Sequence, residues 1–150
     1  MAYAAPQERL SGAPRLLPQI PARPASGRVL VVDDDECMAE LVRLHLTNAG
    51  YEVETAEDAV VALKSIMRRA PALVIIDVTM PYLDGLDFVG ALKGDPAFRH
   101  IPVMFLTART DVDERARELG ALACLKKPLL APQLITAVAA VVPAGRFPAG

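Results

Sequence analysis

The chain has 150 residues, of which 53% are hydrophobic and 23% are charged, so its composition excludes a disordered polyelectrolyte. Sixteen Lys and Arg residues stand against eighteen Asp and Glu residues, a balance that argues against a nucleic-acid-binding protein with a basic surface. Two cysteines are too few for a disulfide scaffold or a cysteine-based zinc site, and no apolar run reaches the length of a membrane span. These features predict a globular domain of a reducing, cytoplasmic compartment, without a signal peptide.

The two ends of the chain differ in composition from its middle. Residues 1–26 contain five of the thirteen prolines, and each proline removes a backbone donor and restricts the residue before it. We therefore expect a disordered Pro- and Ala-rich tail over 1–26, one folded domain over 27–142 and a short C-terminal tail over 143–150.

The middle of the chain alternates between strand-like and helix-like segments. Short apolar runs predict the strands, and apolar residues at helical spacing between capping residues and glycines predict the helices. The second helix is expected to open with a capping box at Thr55 and to turn Ala59, Leu63 and Met67 toward the core. In chain order, the predicted segments are strand 29–32, helix 35–48, strand 51–55, a helix from the capping box to residue 69, strand 72–76, helix 86–93, strand 102–106, helix 111–119, strand 121–125 and a helix from 132 to about 142.

Five strands, each followed by a helix after a short connection, predict parallel β-α-β units with right-handed crossovers. Such units build an α/β fold with three layers, in which helices cover both faces of a central parallel sheet. Ligands of these sheets bind beyond the carboxyl ends of the strands. The polar residues predicted to follow those ends are Asp33, Asp34, Asp35, Glu36, Asp77, Thr107 and Lys127.

Three of these carboxylates are expected to lie close together. If Asp33, Asp34 and Asp77 meet at one edge of the sheet, each pair repels by ~4 kcal/mol at about 4 Å and an effective dielectric constant near 20. Such a cluster indicates a bound cation. Hard oxygen ligands without nearby His or Cys predict Mg²⁺ rather than zinc. Taken singly, Asp35 is better explained as the cap of the helix that it precedes.

The order and spacing of four short motifs resemble the receiver domain of bacterial two-component response regulators, the CheY-like superfamily. The motifs are Val-Leu-Val-Val-Asp-Asp-Asp at 29–35, Val-Ile-Ile-Asp-Val-Thr-Met-Pro-Tyr-Leu-Asp-Gly at 74–85, Leu-Thr-Ala at 106–108 and Lys-Pro at 127–128. The resemblance covers about residues 27–142. It implies a flavodoxin-like three-layer sandwich with a five-stranded parallel sheet of order 2-1-3-4-5 and five helices.

The resemblance assigns the nucleophile and the metal ligands. It implies that Asp77 is the phosphoacceptor, which becomes an aspartyl phosphate. It implies that Asp34 and Asp77 bind Mg²⁺ through their side chains and Thr79 through its main-chain carbonyl, whereas Asp33 acts on the metal through water.

The resemblance also assigns the groups around the phosphoryl group. Thr107 and Lys127 would each contact a phosphoryl oxygen, and the Lys127–Pro128 peptide would be cis. Arg109 and Thr79 would flank the water that hydrolyses the acyl phosphate and so tune the lifetime of the signal.

One position departs from the pattern of the family. Three residues before Lys127, receiver domains usually carry Tyr or Phe, whose ring moves together with the hydroxyl group at the position of Thr107. Here the residue is Cys124. Either a small side chain packs there and partners bind through other contacts, which we favour, or Cys124 senses redox state.

The resemblance implies a phosphodonor and a target. The donor would be a sensor histidine kinase or a histidine phosphotransferase, and the target an unidentified protein, with no direct contact to nucleic acid or membrane. The domain would be a monomer or a weak, phosphorylation-linked dimer, and it would catalyse only its own phosphorylation and slow dephosphorylation. No output domain is expected after residue 142, so the chain is either a stand-alone receiver or a piece of a longer regulator.

Other functions remain open at the level of sequence. The same domain would also suit a phosphorelay shuttle, a phosphate sink or a pure docking module. An aspartate-nucleophile phosphatase of the haloacid dehalogenase type would use Asp33 and Asp35, but Cys37 stands where that family places Thr or Val. A nucleotide- or flavin-binding module would need a phosphate-binding loop after the first strand, and four consecutive acids occupy that loop.

Overall fold

A computed structural model of the protein describes residues 28–143. The predicted tail over 1–26 and the residues beyond 143 lie outside the described range. Within it, the elements in chain order are β1 (Arg28–Val32), α1 (Glu36–Asn48), β2 (Glu52–Ala56), α2 (Ala59–Arg68), β3 (Leu73–Ile76), β4 (Thr79–Met80), β5 (Leu83–Asp84), α3 (Gly85–Lys93), β6 (Val103–Thr107), α4 (Asp113–Glu118), β7 (Ala123–Lys126) and α5 (Ala131–Ala139).

The central sheet has five parallel strands in the order β2-β1-β3-β6-β7. Counted as sheet strands along the chain, this order is 2-1-3-4-5, so the predicted flavodoxin-like topology is confirmed. The difference in numbering arises from β4 and β5, which pair with each other as a small antiparallel hairpin outside the sheet. Apolar periodicity could not predict a hairpin of two-residue strands.

Side chains of successive strand residues point to opposite faces of the sheet, and each face has its own core. Leu30 and Val32 of β1 pack on one side with α2, α3 and α4. Val29 and Val31 pack on the other side with α1 and α5. All five residues of β1 and all five of β6 are buried, as expected for strands covered on both faces. The predicted three-layer sandwich is therefore confirmed.

The prediction for the inner face of α2 is wrong. The buried residues of α2 are Ala62, Ser65 and Ile66, whereas Leu63 is 37% exposed and Met67 is 66% exposed. The strand β2 continues through Ala56, and the helix is capped instead by Asp58, whose side chain accepts from the amide of Val61 at 2.9 Å.

The buried stripe of α2 contains a polar residue, which explains the error. The hydroxyl of Ser65 accepts a hydrogen bond from the guanidinium of Arg28 at 2.5 Å, so Ser65 faces the sheet without an unpaired polar group. Hydrophobicity alone favours the neighbouring stripe of the helix, which carries Leu63 and Met67. None of the helices within residues 28–143 has both the length and the apolar character that a membrane crossing would require.

Candidate functional site

Four strand ends deliver polar side chains to one edge of the sheet. Asp33 directly follows β1, Asp77 follows β3, Thr107 is the last residue of β6 and Lys127 follows β7. The sheet pattern continues into these residues, because the Asp33 amide donates to Ala56 at 3.0 Å and the Asp77 amide donates to Val32 at 3.1 Å. Their backbone positions are therefore fixed by the same hydrogen bonds that hold the strands.

Lys127 lies between two of the predicted carboxylates. Its Nζ is 3.0 Å from Oδ2 of Asp77 and 3.1 Å from Oδ2 of Asp33. The three side chains come from residues separated by 94 and 50 positions, and only 17% of the Lys127 side chain is exposed. Charge-assisted hydrogen bonds in a site that excludes most of the solvent are stronger than those at the surface. The peptide between Lys127 and Pro128 is cis.

Burial and charge shift two pKa values in this site. Burial raises the pKa of the Asp33 carboxyl above its ordinary value, and the hydrogen bonds from the Asp35 amide and from Lys127 offset only part of that rise. Burial also acts to lower the pKa of Lys127, but the hydrogen bonds to Asp77 and Asp33 outweigh it, so the pKa of Lys127 is raised. Lys127 is therefore a permanent positive charge at neutral pH.

The carboxylates form a cluster with the composition of a divalent-cation site. One oxygen from each of Asp33, Asp34 and Asp77 lies within 4.8 Å of the other two, with Asp34 exposed and the others buried. Three hard, anionic oxygen ligands fit Mg²⁺, and no His or Cys belongs to the cluster. The donor set therefore agrees with the ion predicted from the sequence.

A tight backbone turn after β3 positions the carboxylate of Asp77. Its Oδ1 accepts from the amide of Thr79 at 3.2 Å, and the hairpin β4–β5 then returns the chain to Gly85. A Cβ atom at Gly85 would lie 2.2 Å from the carbonyl oxygen of Asp77. Only glycine permits this approach, and the sequence signal for it was the Asp-Gly pair at 84–85. Its role in supporting the nucleophile was missed.

The hairpin turn itself has an unusual conformation. Tyr82 has a positive φ of 65°, and its side chain is fully exposed. Non-glycine residues adopt this region infrequently. The structure shows no contact that explains the choice of tyrosine.

Thr107 and Arg109 lie on the same loop with different partners. The buried hydroxyl of Thr107 accepts from the Arg109 amide at 3.1 Å. The Arg109 guanidinium forms two hydrogen bonds to the carboxylate of Asp111, at 3.0 and 2.8 Å. Thr107 therefore belongs to the buried site, whereas the charge of Arg109 is engaged by its neighbour at the surface.

Cys124 and Lys126 lie on β7, on the far side of Thr107 from the carboxylates. Burial raises the pKa of the Cys124 thiol, and a protonated thiol is a poor nucleophile. Lys126 points away from Asp77, as strand alternation predicts, and its Nζ contacts the β6–α4 loop of residues 108–112. No sequence pattern predicts this contact, because it depends on the path of that loop.

Comparison with known proteins identifies the fold and its family. The family described as "Response regulator receiver domain" matches residues 29–139. The response regulator PleD of Caulobacter vibrioides is 42% identical over 106 residues, and the response regulator MprA of a Mycobacterium species is 41% identical over 119 residues. These matches cover 69% and 77% of the chain but only 23% of PleD and 50% of MprA. The chain thus spans half or less of the length of these relatives.

Solved structures agree with the sequence comparison. The chemotaxis response regulator CheY4 of Vibrio cholerae superposes with a TM-score of 0.73 at 32% identity, covering 79% of this chain and 100% of CheY4. A protein of Chloroflexus aurantiacus superposes with a TM-score of 0.71 at 33% identity, covering 77% of this chain and 96% of that protein. Both solved structures thus share the receiver fold found for this chain. The chain belongs to the response regulator receiver domain family.

Proposed function

We propose that the domain accepts a phosphoryl group on Asp77 from a phosphohistidine of a sensor kinase or phosphotransferase, and signals by protein contact. The observation that carries the proposal is the arrangement of the buried Asp77 carboxylate, 3.0 Å from the ammonium of Lys127 at the carboxyl end of β3. A carboxylate attacks an anionic phosphoryl group only where nearby positive charge cancels their repulsion.

The chemistry is a displacement at phosphorus. A carboxylate oxygen of Asp77 forms the new P–O bond while the P–N bond to the donor imidazole breaks, and the imidazole leaves with the bonding electron pair. Lys127 then pairs with an equatorial phosphoryl oxygen, and the hydroxyl of Thr107 hydrogen-bonds another. Both groups stabilise charge that develops on the phosphoryl oxygens.

The carboxylate cluster has a separate task. Asp34, Asp77 and the main-chain carbonyl of Thr79 would hold Mg²⁺ directly, and Asp33 would act through water. Bound there, Mg²⁺ supplies charge neutralisation at the phosphoryl oxygens. The three-carboxylate cluster supports this assignment, because its mutual repulsion is relieved by a divalent cation.

In the proposed cycle, the signal ends when the acyl phosphate on Asp77 is hydrolysed. Water attacks the phosphorus of the acyl phosphate, the P–O bond to Asp77 breaks, and inorganic phosphate leaves. We infer that Thr79 and Arg109 border the approach of this water. Because Asp111 engages the Arg109 guanidinium, that side chain is held toward the surface, which favours slow hydrolysis over active assistance.

The proposal extends to the setting of the domain. We infer a cytoplasmic protein that works as a monomer or as a weak dimer linked to phosphorylation, without direct contact to nucleic acid. A pure docking function would leave a mutually repelling carboxylate cluster, two of whose three members are buried, without a purpose, so the phosphoacceptor role is favoured.

Phosphorylation by acetyl phosphate tests the assignment of Asp77. We expect wild-type protein with Mg²⁺ to form one acid-stable, base-labile adduct, which intact-mass analysis detects and peptide mapping locates. Asp77→Asn should form none, since the amide is not a nucleophile. Asp87→Asn, which changes an exposed carboxyl on α3, should match the wild type. An adduct of equal yield in Asp77→Asn would contradict the proposal, and chelation of the metal should nearly abolish the adduct.

A further inference from the structure

The side chain of Lys126 joins three elements around the β6–α4 loop. Its Nζ is 2.9 Å from the carbonyl oxygen of Arg109 and 2.5 Å from Oδ1 of Asp113, the first residue of α4. The same Nζ is 3.7 Å from Sγ of Cys124 on its own strand. One ammonium therefore connects β7 to the loop and to the start of α4.

The loop is held from two sides at a single residue. The amide of Arg109 donates to the hydroxyl of Thr107, and the carbonyl of Arg109 accepts from Lys126. Any movement of the Thr107 side chain toward Asp77 pulls on the Arg109 peptide through the first bond. The second bond, from Lys126, resists that pull.

Packing between β7 and α4 is loose near Cys124. A cavity of about 310 Å³ lies between α4 and β7, and its lining includes the small side chains of Ala116, Ala121, Ala123 and Cys124. Apolar packing across this space is limited to the partly buried Cys124 against the core cluster that contains Val112 and Ala116. The polar contacts of Lys126 add a directional connection between β7, the loop and the start of α4.

We propose that Lys126 is a positioning residue, a latch that holds the β6–α4 loop and the start of α4 against the movement of Thr107 toward a phosphoryl group. The inference rests on the proposed phosphorylation of Asp77, since a phosphoryl oxygen there is what Thr107 would move to bind. Breaking the contacts of Lys126 costs part of the free energy that contact between Thr107 and a phosphoryl oxygen would supply. Without the latch, the loop follows Thr107 at lower cost.

The size of the effect follows from exposure. The side chains of Lys126 and Asp113 are 36% and 54% exposed, so solvent screens their attraction and the contact is of the weak, surface class. Release of the latch should therefore raise the affinity for a phosphoryl mimic by roughly two- to five-fold. At about 1 M salt the Debye length falls to ~3 Å, so the difference from wild type should shrink.

Beryllofluoride in the presence of Mg²⁺ is the probe for the test. Its dissociation constant is measured by amide NMR for the wild type, Lys126→Met, Asp113→Asn and Arg115→Met. Lys126→Met should bind two- to five-fold more tightly, because both oxygen contacts are lost. Asp113→Asn should show a smaller gain, because the contact to the Arg109 carbonyl remains. Arg115→Met removes an exposed ion pair within α4 that does not reach β7, and it should match the wild type.

The outcomes separate the latch from the phosphoacceptor role. If wild-type protein binds beryllofluoride and Asp77→Asn does not, but Lys126→Met binds no more tightly than Arg115→Met, the latch is overturned and the proposed function stands. If wild-type protein does not bind the probe, the proposed function falls and the latch falls with it. A gain in Lys126→Met that persists unchanged at high salt would also overturn the latch, since an electrostatic contact must weaken there.

Discussion

At the scale of single residues, the buried arginine at the start of β1 forms a polar cluster separate from the one around Asp77. Arg28 is 2% exposed, and its guanidinium donates to the carbonyl of Arg69 at 2.6 Å and to Glu54 and Ser65 at 2.5 Å each. Three acceptors thus lie against the buried guanidinium, as a buried charge requires. The cluster joins β1, β2 and α2 at the amino end of the sheet, away from Asp77.

Removing the negative partner of this arginine should destabilise the fold. Glu54→Gln leaves the Arg28 guanidinium buried beside a neutral amide, and we expect a loss of about 1–3 kcal/mol in the free energy of unfolding. Urea denaturation at neutral pH measures it. Glu52→Gln is the matched control on the same strand, because its ion pair with Arg69 is half-exposed on both sides and should be close to neutral. Equal effects of the two variants would contradict this account.

The pH dependence has a definite sign. Burial raises the pKa of Glu54, but the hydrogen bonds from Arg28, Ser65 and Arg68 outweigh it, so the pKa of Glu54 in the folded protein is lowered. The stabilisation is therefore present above the ordinary value of 4.5 and is lost as the pH falls through the lowered value. The difference between wild type and Glu54→Gln should accordingly close below that pH.

At the scale of elements, the two glycines of α3 have opposite roles. Gly85 begins the helix against the carbonyl of Asp77, where a Cβ atom would lie at 2.2 Å. Gly90 lies inside the helix, where a Cβ atom would make an ordinary contact of 3.7 Å with Leu119. The first glycine is required by the path of the backbone beneath the nucleophile, and the second is not.

Alanine at these two positions should act in opposite directions. Gly85→Ala forces the backbone at Asp77 to shift, and we expect a loss of about 1–3 kcal/mol in stability together with slower phosphorylation by acetyl phosphate. Gly90→Ala should add about 0.5–1 kcal/mol, because alanine loses less backbone entropy in a helix. Thermal unfolding and the initial rate of adduct formation measure both. A Gly85→Ala protein with wild-type stability and rate would disprove the close-approach argument.

At the scale of the whole molecule, the sequence predicted the sheet better than the helix surfaces. Continuous apolar runs such as 73–76 mark strands covered on both faces, and parallel strands bring their carboxyl ends to one edge. That rule alone placed Asp33, Asp77, Thr107 and Lys127 together. The buried face of α2 was mistaken because its inner stripe carries Ser65, which only the fold supplies with a partner.

Contacts that depend on loop paths were beyond the sequence. Strand alternation explains why Lys126 points away from the carboxylates, but it does not predict the contacts of Lys126 with the carbonyl of Arg109 and the carboxylate of Asp113. The hairpin of β4 and β5 is likewise too short to leave a periodic signal. Periodicity specifies faces and ends of elements, whereas these contacts depend on loop dihedral angles and side-chain rotamers.

Lys127 ties together the ends of three strands, so its charge should affect both metal binding and global stability. In Lys127→Ala, the carboxylates of Asp33 and Asp77 lose the ammonium that contacts both, and we expect a lower melting temperature in EDTA at neutral pH. Mg²⁺ no longer competes with that ammonium for the same oxygens, so its affinity should be at least that of wild type. Stabilisation by a ligand grows as its Kd falls, and at 100 times its Kd a ligand stabilises the fold by about 2.7 kcal/mol. Tighter binding of Mg²⁺ should therefore give a larger rise in melting temperature in Lys127→Ala than in wild type.

The pH profile distinguishes this charge effect from a simple loss of packing. Burial acts to lower the pKa of Lys127, but its partners Asp77 and Asp33 outweigh burial and raise it. Its stabilisation is thus present below the ordinary value of 10.5 and is lost as the pH rises through the raised value, where wild type and variant should converge. Differential scanning calorimetry across this range, with the exposed Lys64→Met on α2 as the control, measures the effect. A Lys127→Ala protein that binds Mg²⁺ far more weakly than wild type would show that Lys127 supports the metal site instead of competing with it.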